Sequence, residues 1–158
     1  MRTHIFQGLV AVLLAASLLM TPIGVVQAAN TQLSGQGVQV GSCGGRSSDF
    51  TIEMSGSLQG CWYTTILDST LTPSGTYHES GTEVFVGCLR DGSRIRCGTF
   101  DTTYNFNGKF DENFAEIFGR CEHKIVSGTG PFSGGGRIDF KDDVANTIFD
   151  YRGHIAVP

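Results

Sequence analysis

The fold is decided by the stretch TEVFVGCLRDGSRIRCGTFDTTYNF, residues 82–106. Two runs rich in β-branched and aromatic residues flank turn-forming residues at 91–94, a pattern typical of a β-hairpin. A four-residue turn there places Cys88 opposite Cys97, with both sulfur atoms on one face of the hairpin. A two-residue turn over 91–92 would shift this register. We therefore predict an antiparallel hairpin closed by a Cys88–Cys97 disulfide.

Similar runs recur along the chain about every ten residues, separated by clusters of Gly, Asn, Asp and Ser. No segment shows the sustained apolar stripe of an amphipathic helix. Strands are predicted over 49–55, 60–71, 75–79, 82–89, 94–106, 113–126, 136–141 and 147–157. An open meander of this many strands would expose two sheet edges, and closure removes them. The sequence thus predicts an all-β domain over 49–158, a single antiparallel up-and-down barrel of about eight strands.

The N-terminal segment has the features of a signal peptide. Arg2 precedes an apolar stretch over 8–20, Pro22 ends that stretch, and small residues at Ala28 and Ala29 suit cleavage. The stretch is too short to span a bilayer comfortably, and no later one approaches the roughly 20 apolar residues of a spanning helix. We predict a signal peptide over 1–29, a secreted or periplasmic protein, and no membrane span.

Residues 30–48 are rich in Gly, Ser, Gln and Asn, which bury too little apolar surface to become ordered alone. We predict a flexible N-terminal arm here, or a loosely attached first strand. The whole chain has a formal net charge of −4 and shows no basic patch. A nucleic-acid partner or an anionic membrane surface is therefore not expected. The oligomeric state is left open.

The chain has five cysteines, and disulfides are the expected state of cysteines in an exported protein. Besides Cys88 and Cys97, Cys121 is predicted to pair with Cys61 or with Cys43, which leaves one thiol over. Cys121 and His123 share a strand face and could instead meet Cys61 as zinc ligands, or act as a thiol and base pair. Zinc sites usually show a second close pair of ligands, and none is present. We predict no metal site.

Alternation along the strands predicts which side chains face the barrel interior. Over 113–126 one face is mostly charged and the other carries Ile117, Cys121 and His123, so the second face is assigned to the inside. An interior that mixes large rings with small residues suits a packed barrel or a small ligand cavity. The residues predicted to contact a ligand are Trp62, Tyr63, Phe85, Ile117, Cys121, His123, Phe140 and Tyr151.

Two titratable residues are candidates for catalysis, Glu83 and His123. A glutamate inside a barrel mouth can act as a general acid or base when burial raises its pKa. The competing interpretation places Glu83 beside a solvated turn at Ser80 and Gly81, with its charge in water. Nothing in the sequence chooses an activity, and no cofactor is predicted, because the glycine run over 128–136 lacks the Lys and Ser/Thr of a phosphate-binding loop.

A family resemblance rests on two C-terminal stretches. The first is IVSGTGPFSGGGRIDFKDD over 125–143, and the second is FDYRGHI over 149–155. They resemble the glycine-rich turn and the last strand of allene oxide cyclase-like and dirigent-like barrels. The resemblance implies a calycin-like barrel in a bacterial exported member of that group. It implies no catalytic residue.

Three functions remain open from the sequence. The leading hypothesis is a noncatalytic barrel that binds a small apolar or amphipathic ligand. The second is a cofactor-free cyclase or isomerase of the allene oxide cyclase type. The third is a structural or surface-interaction protein, in which the odd cysteine and the N-terminal arm serve assembly.

Overall fold

A computed structural model describes residues 29–113, 115–143 and 146–158. Over these residues the strands are β1 (Ala29–Val40), β2 (Phe50–Gly56), β3 (Leu58–Leu71), β4 (Thr76–Asp91), β5 (Arg94–Phe110), β6 (Glu116–Gly128), β7 (Gly136–Asp143) and β8 (Ile148–Val157). Each strand pairs antiparallel with the next, and β1 also pairs with β8, which closes the barrel. The predicted eight-stranded up-and-down barrel is confirmed. The signal-peptide prediction falls almost wholly on residues 1–28, which lie outside the described residues.

The hairpin of β4 and β5 has the predicted register. Asp91 lies opposite Arg94, and Cys88 lies opposite Cys97. The two cysteines are bonded to each other. Both side chains are on the outer face of the barrel, because Phe85 and Leu89 on the same strand are fully buried inside.

The structure differs from the predicted strand boundaries in two places. Residues 29–40 form β1, which hydrogen-bonds to β2 along one edge and to β8 along the other, so the first strand, one of the two alternatives predicted for 30–48, is observed there. The two strands predicted over 75–79 and 82–89 are one continuous strand, β4, because Ser80 and Gly81 pair with β3 and β5 instead of turning. The predicted number of strands is right because one missed strand offsets one that was divided.

One end of the barrel is filled by its own side chains. A short 3₁₀ helix, Gly130–Phe132, lies between β6 and β7 and buries Phe132 completely against Phe85 and Phe100. Gly130 has a φ of 56°, a conformation that side chains other than glycine rarely adopt. The glycine run therefore forms a tight turn, and this turn carries Phe132, whose side chain plugs the closed end of the barrel.

The second disulfide differs from the prediction. Cys61 is bonded to Cys43, and Cys121 is a buried free thiol, so the predicted Cys61–Cys121 pair is wrong. The reason is strand alternation: Trp62 faces the core, so its neighbour Cys61 faces outward, whereas Cys121 faces inward. A thiol inside the barrel does not reach a second chain, which removes the assembly role considered for the odd cysteine. Two disulfides are typical of an oxidising, extracellular environment.

No helix in the described part of the chain is long and apolar enough to cross a membrane.

Candidate functional site

A cavity of about 290 Å³ occupies the end of the barrel opposite the Phe132 plug. It opens where β1 ends, β4 begins, and β7 ends. Its apolar wall consists mainly of the aromatic side chains of Phe50, Tyr77, Phe106, Phe110, Phe140 and Phe149. Its polar groups include Glu79, Glu83, Cys121, His123 and Asp142. The barrel interior is thus packed at one end and hollow at the other.

Glu83 and His123 form a buried pair at the inner side of the cavity. The Nδ1 atom of His123 lies 2.6 Å from Oε2 of Glu83, and the two residues are 2% and 3% exposed, respectively. Because a carboxylate only accepts hydrogen bonds, we assign the proton of this contact to Nδ1. The second ring nitrogen, Nε2, is buried and has no hydrogen-bond partner among the described residues.

The strand register brings the partners of Glu83 together. Glu83 lies directly between Thr64 of β3 and Thr102 of β5. The Thr64 hydroxyl donates to Oε1 at 3.0 Å, and the Thr102 hydroxyl donates to Oε2 at 2.6 Å. Burial alone would raise the pKa of Glu83, but the charge of His123 and the hydrogen bonds from His123 and Thr102 outweigh it and lower this pKa below its ordinary value. Glu83 is therefore a fixed carboxylate.

Asp142 has the opposite character. It is the last inward-facing residue of β7 and is 9% exposed, and its Oδ1 has no hydrogen-bond partner within the described residues. The pKa of Asp142 is raised to about 7, first by burial and then by the carboxylates of Glu116, Glu83 and Glu79, against the pull of His123. Asp142 therefore changes charge near neutral pH.

Glu79 is held by two tyrosines at the mouth. The Tyr77 hydroxyl donates to Oε2 at 2.6 Å, and the Tyr104 hydroxyl donates to Oε1 at 2.8 Å. The side chain of Tyr104 passes over Gly81 to reach Glu79. A side chain at position 81 would collide with the Tyr104 ring. Burial raises the pKa of both tyrosines, and hydrogen bonding to Glu79 adds to this effect. Both hydroxyls therefore remain protonated donors.

Cys121 lines the same cavity as a free thiol. Burial raises its pKa far above the ordinary range, and the nearby carboxylates, Glu83 first, add to this effect. Because the thiolate is the reactive form of cysteine, this thiol is a poor nucleophile. Cys61 is on the outer face in a disulfide, so the zinc site considered for Cys61, Cys121 and His123 does not form. No group of three metal-ligating side chains is found in the described ranges.

In comparisons with known proteins, no family model, curated protein or solved structure matches this chain.

The structure divides the eight predicted ligand contacts into three groups. Cys121, His123 and Phe140 line the cavity. Trp62, Phe85 and Tyr151 are packed in the core instead, where Trp62 contacts His123 and Phe140 from the closed side. Tyr63 and Ile117 lie on the outside of the barrel.

The two misplaced residues have separate physical reasons. Ile117 is 61% exposed because a β-bulge in β6 leaves it without a partner: Phe118 pairs with Lys109, and Glu116 pairs with the next residue of β5. Tyr63 points away from the core but is covered by the segment that follows β1, where its hydroxyl donates to the Cys43 carbonyl at 2.6 Å. Tyr63 is therefore buried by the segment that follows β1 and not by the barrel core.

Sequence reasoning missed most of the mouth. None of Glu79, Asp142 and Glu116 is among the site residues predicted from the sequence. A signal existed for two of them: Glu79 has the parity of Glu83 along a continuous β4, and Asp142 has the parity of Ile138 and Phe140 along β7. The bulge in β6 turns Glu116 inward, where Oε1 lies beneath Gly119. That irregularity has no sequence signal.

Proposed function

We propose that this protein is an exported barrel that binds a small apolar or amphipathic molecule in its open cavity. The observation that supports this proposal is a cavity of about 290 Å³ with a wall of aromatic rings, lined also by His123, whose buried Nε2 has no hydrogen-bond partner in the described part of the chain. For scale, an engineered apolar cavity of about 150 Å³ accommodates benzene. Apolar walls with a few convergent polar groups are the usual composition of a ligand site.

Export is supported by two observations. Both disulfides suit an oxidising compartment, and residues 1–29 have the pattern of a signal peptide. Membership of the allene oxide cyclase-like group stays a proposal that rests on the stretches at 125–143 and 149–155.

The binding proposal predicts one-to-one, saturable uptake of N-phenyl-1-naphthylamine, an uncharged probe whose fluorescence rises in apolar surroundings. Cys121→Phe places a phenyl ring in the cavity, where it takes up space that the probe needs. The affinity for the probe is expected to fall about tenfold or more, which corresponds to a loss of at least about 1.4 kcal/mol of binding free energy. The measurement is a fluorescence titration at constant protein concentration.

Val126→Phe is the matched control, because Val126 lies on the same strand and is exposed on the outer face. Thermal unfolding of both variants shows whether each is folded. Equal probe binding by the wild type and by a folded Cys121→Phe variant would place the probe elsewhere and refute the proposal.

A second candidate function, proton transfer in a cofactor-free isomerase or cyclase, is favoured by the Glu83–His123 pair. A carboxylate that accepts from Nδ1 fixes the ring orientation and the tautomer, so that Nε2 presents a lone pair to a bound substrate. The same carboxylate stabilises the imidazolium that forms when Nε2 takes up a proton. The low exposure of both residues keeps water from competing for that proton.

This candidate predicts that the protein accelerates the Kemp elimination of 5-nitrobenzisoxazole, in which a base removes a ring C–H proton and the N–O bond breaks. The expected rate is about 10²-fold above that of free imidazole at equal concentration. His123→Gln is expected to abolish the acceleration, and His154→Gln, at an exposed position of β8, to preserve it. An unchanged rate in His123→Gln would exclude this role for the pair.

A further inference from the structure

The cavity carries an excess of acidic groups. Glu79, Glu83 and Asp142 line it, and Glu116 lies close enough to Asp142 to affect its pKa. His123 is the only basic side chain in the described lining. Even when His123 is protonated, it balances only one of these carboxyl groups, and that one is Glu83, its direct hydrogen-bond partner. Glu79 and Asp142 therefore have no basic counterpart among the described residues that line the cavity.

Glu79 and Asp142 differ in how well their oxygens are supplied with hydrogen-bond donors. Glu79 accepts hydrogen bonds from tyrosines at both oxygens. Asp142 is nine-tenths buried, and its Oδ1 has no partner among the described residues, although it lines a cavity that has room for one. A buried polar atom without a partner is costly, and a ligand that donates to it removes this cost. Oδ1 of Asp142 is therefore the position at which a hydrogen-bond donor of a ligand is expected.

The surrounding rings favour a positively charged donor. Tyr77, Phe106 and Phe110 form a cluster at the mouth, with ring centroids 5.9 Å apart between Tyr77 and each phenylalanine. Phe140 precedes Asp142 on the same face of β7. The faces of aromatic rings attract cations, and cages of such rings are used to recognise organic ammonium groups. An anionic ligand would meet both ring faces and carboxylates of unfavourable sign.

We propose that the cavity binds a small organic cation, an ammonium group attached to an apolar body of about one or two rings. The ammonium group donates to Oδ1 of Asp142, and the apolar body lies against Phe106, Phe110 and Phe140. This inference rests on the proposed binding function and assigns its ligand class. It also explains why Oδ1 of this buried carboxyl group has no hydrogen-bond partner among the described residues.

Binding of a cation is coupled to ionisation of Asp142. The groups facing Asp142 are His123, Glu116 and Cys121 from β6, and Glu79 and Glu83 from β4. Because the pKa of Asp142 is raised to about 7 in the empty cavity, the carboxyl group is mainly neutral at pH 6 and mainly ionised at pH 8. A cation binds the ionised form, so its affinity is expected to rise about tenfold between these pH values.

The test is calorimetric titration of the mature protein with three ligands of the same shape: 2-naphthylmethylamine as its ammonium ion, neutral 2-naphthylmethanol, and the 2-naphthoate anion. At pH 8 the ammonium ion is expected to bind at least about tenfold more tightly than the alcohol, and the carboxylate to bind most weakly. Asp142→Asn is expected to reduce the affinity for the ammonium ion to that of the alcohol, and to remove most of its pH dependence.

Asp139→Asn is the matched control, since Asp139 faces outward on the same strand. It should leave all three affinities unchanged. Equal affinities for the ammonium ion and the alcohol, or an unchanged ammonium affinity in Asp142→Asn, would overturn the cation inference while leaving the binding proposal in place. If none of the three ligands and no neutral probe binds, both proposals are overturned.

Discussion

Replacing Glu83 with alanine is expected to lower the free energy of unfolding by about 3–5 kcal/mol, the usual cost of breaking a buried charged pair. The substitution leaves His123 buried without its partner, and it removes the acceptor of the Thr64 and Thr102 hydroxyls. Urea denaturation followed by circular dichroism measures the effect. Glu83→Gln, which retains an acceptor oxygen, is expected to cost less.

Glu122→Ala is the matched control for this substitution. Glu122 precedes His123 on β6 but points outward, and its contact with Arg137 is solvent-exposed. Exposed ion pairs contribute about 1 kcal/mol or less. If Glu83→Ala cost no more than Glu122→Ala, the buried network would not be a stabilising element of the fold.

The pH dependence of the Glu83 contribution has a definite sign. Because its pKa in the folded protein is below its ordinary value of 4.5, the stabilisation is fully present above that value and is lost as the pH falls through the lower folded pKa. The wild type should therefore lose more stability than Glu83→Ala as the pH falls below about 4.5.

Replacing Asp142 with asparagine is expected to stabilise the protein, by about 3–4 kcal/mol more at pH 8 than at pH 4. The pKa of Asp142 is raised to about 7 from an ordinary value of 3.8, so the folded state favours the neutral carboxyl group. That preference contributes stability below the ordinary value, and the contribution is lost as the pH rises toward 7. Asparagine is neutral at every pH, so the variant does not lose this stability as the pH rises. Urea denaturation at the two pH values measures the difference.

The outward-facing Asp139→Asn variant should show no such pH-dependent gain, because Asp139 is exposed beside Arg137. A stabilisation of Asp142→Asn that is the same at pH 4 and pH 8 would mean that ionisation of Asp142 has no cost in the fold. Since Asp142→Asn is expected to be the more stable protein at pH 8, any loss of cation binding in it cannot be attributed to unfolding.

The core of the barrel could be predicted because alternation is a local property of a strand. Phe140 and Tyr151 face inward as predicted, and the Cys88–Cys97 register followed from the turn. β1 could not be recognised in this way. Leu33 is its one buried large side chain, and its place in the barrel depends on backbone hydrogen bonds to two neighbouring strands. Composition does not record such bonds.

The site was predicted in its centre and missed at its rim. Glu83 and His123 are recognisable in the sequence only as two separate titratable residues. Glu83 is on β4 and His123 is on β6, and the register of both strands with β5, which lies between them, brings the two side chains into contact. Their pairing needed the alignment of three strands, which no single strand contains. The bulge at Ile117 is a departure from regular alternation, which was the basis for placing that residue inside. Tyr63 follows the inward-facing Trp62 directly, so alternation places its side chain on the outside, as observed.

The seam between β1 and β8 has a consequence for how the barrel can be tethered. Ala29 pairs with Val157, and the next residue inward, Ala156, lies against the glycine turn that carries the Phe132 plug. Both ends of the barrel chain therefore leave from the closed pole, and the cavity opens at the opposite pole. A support, surface or fusion partner joined through either end would hold the mouth outward, free to exchange molecules with the medium.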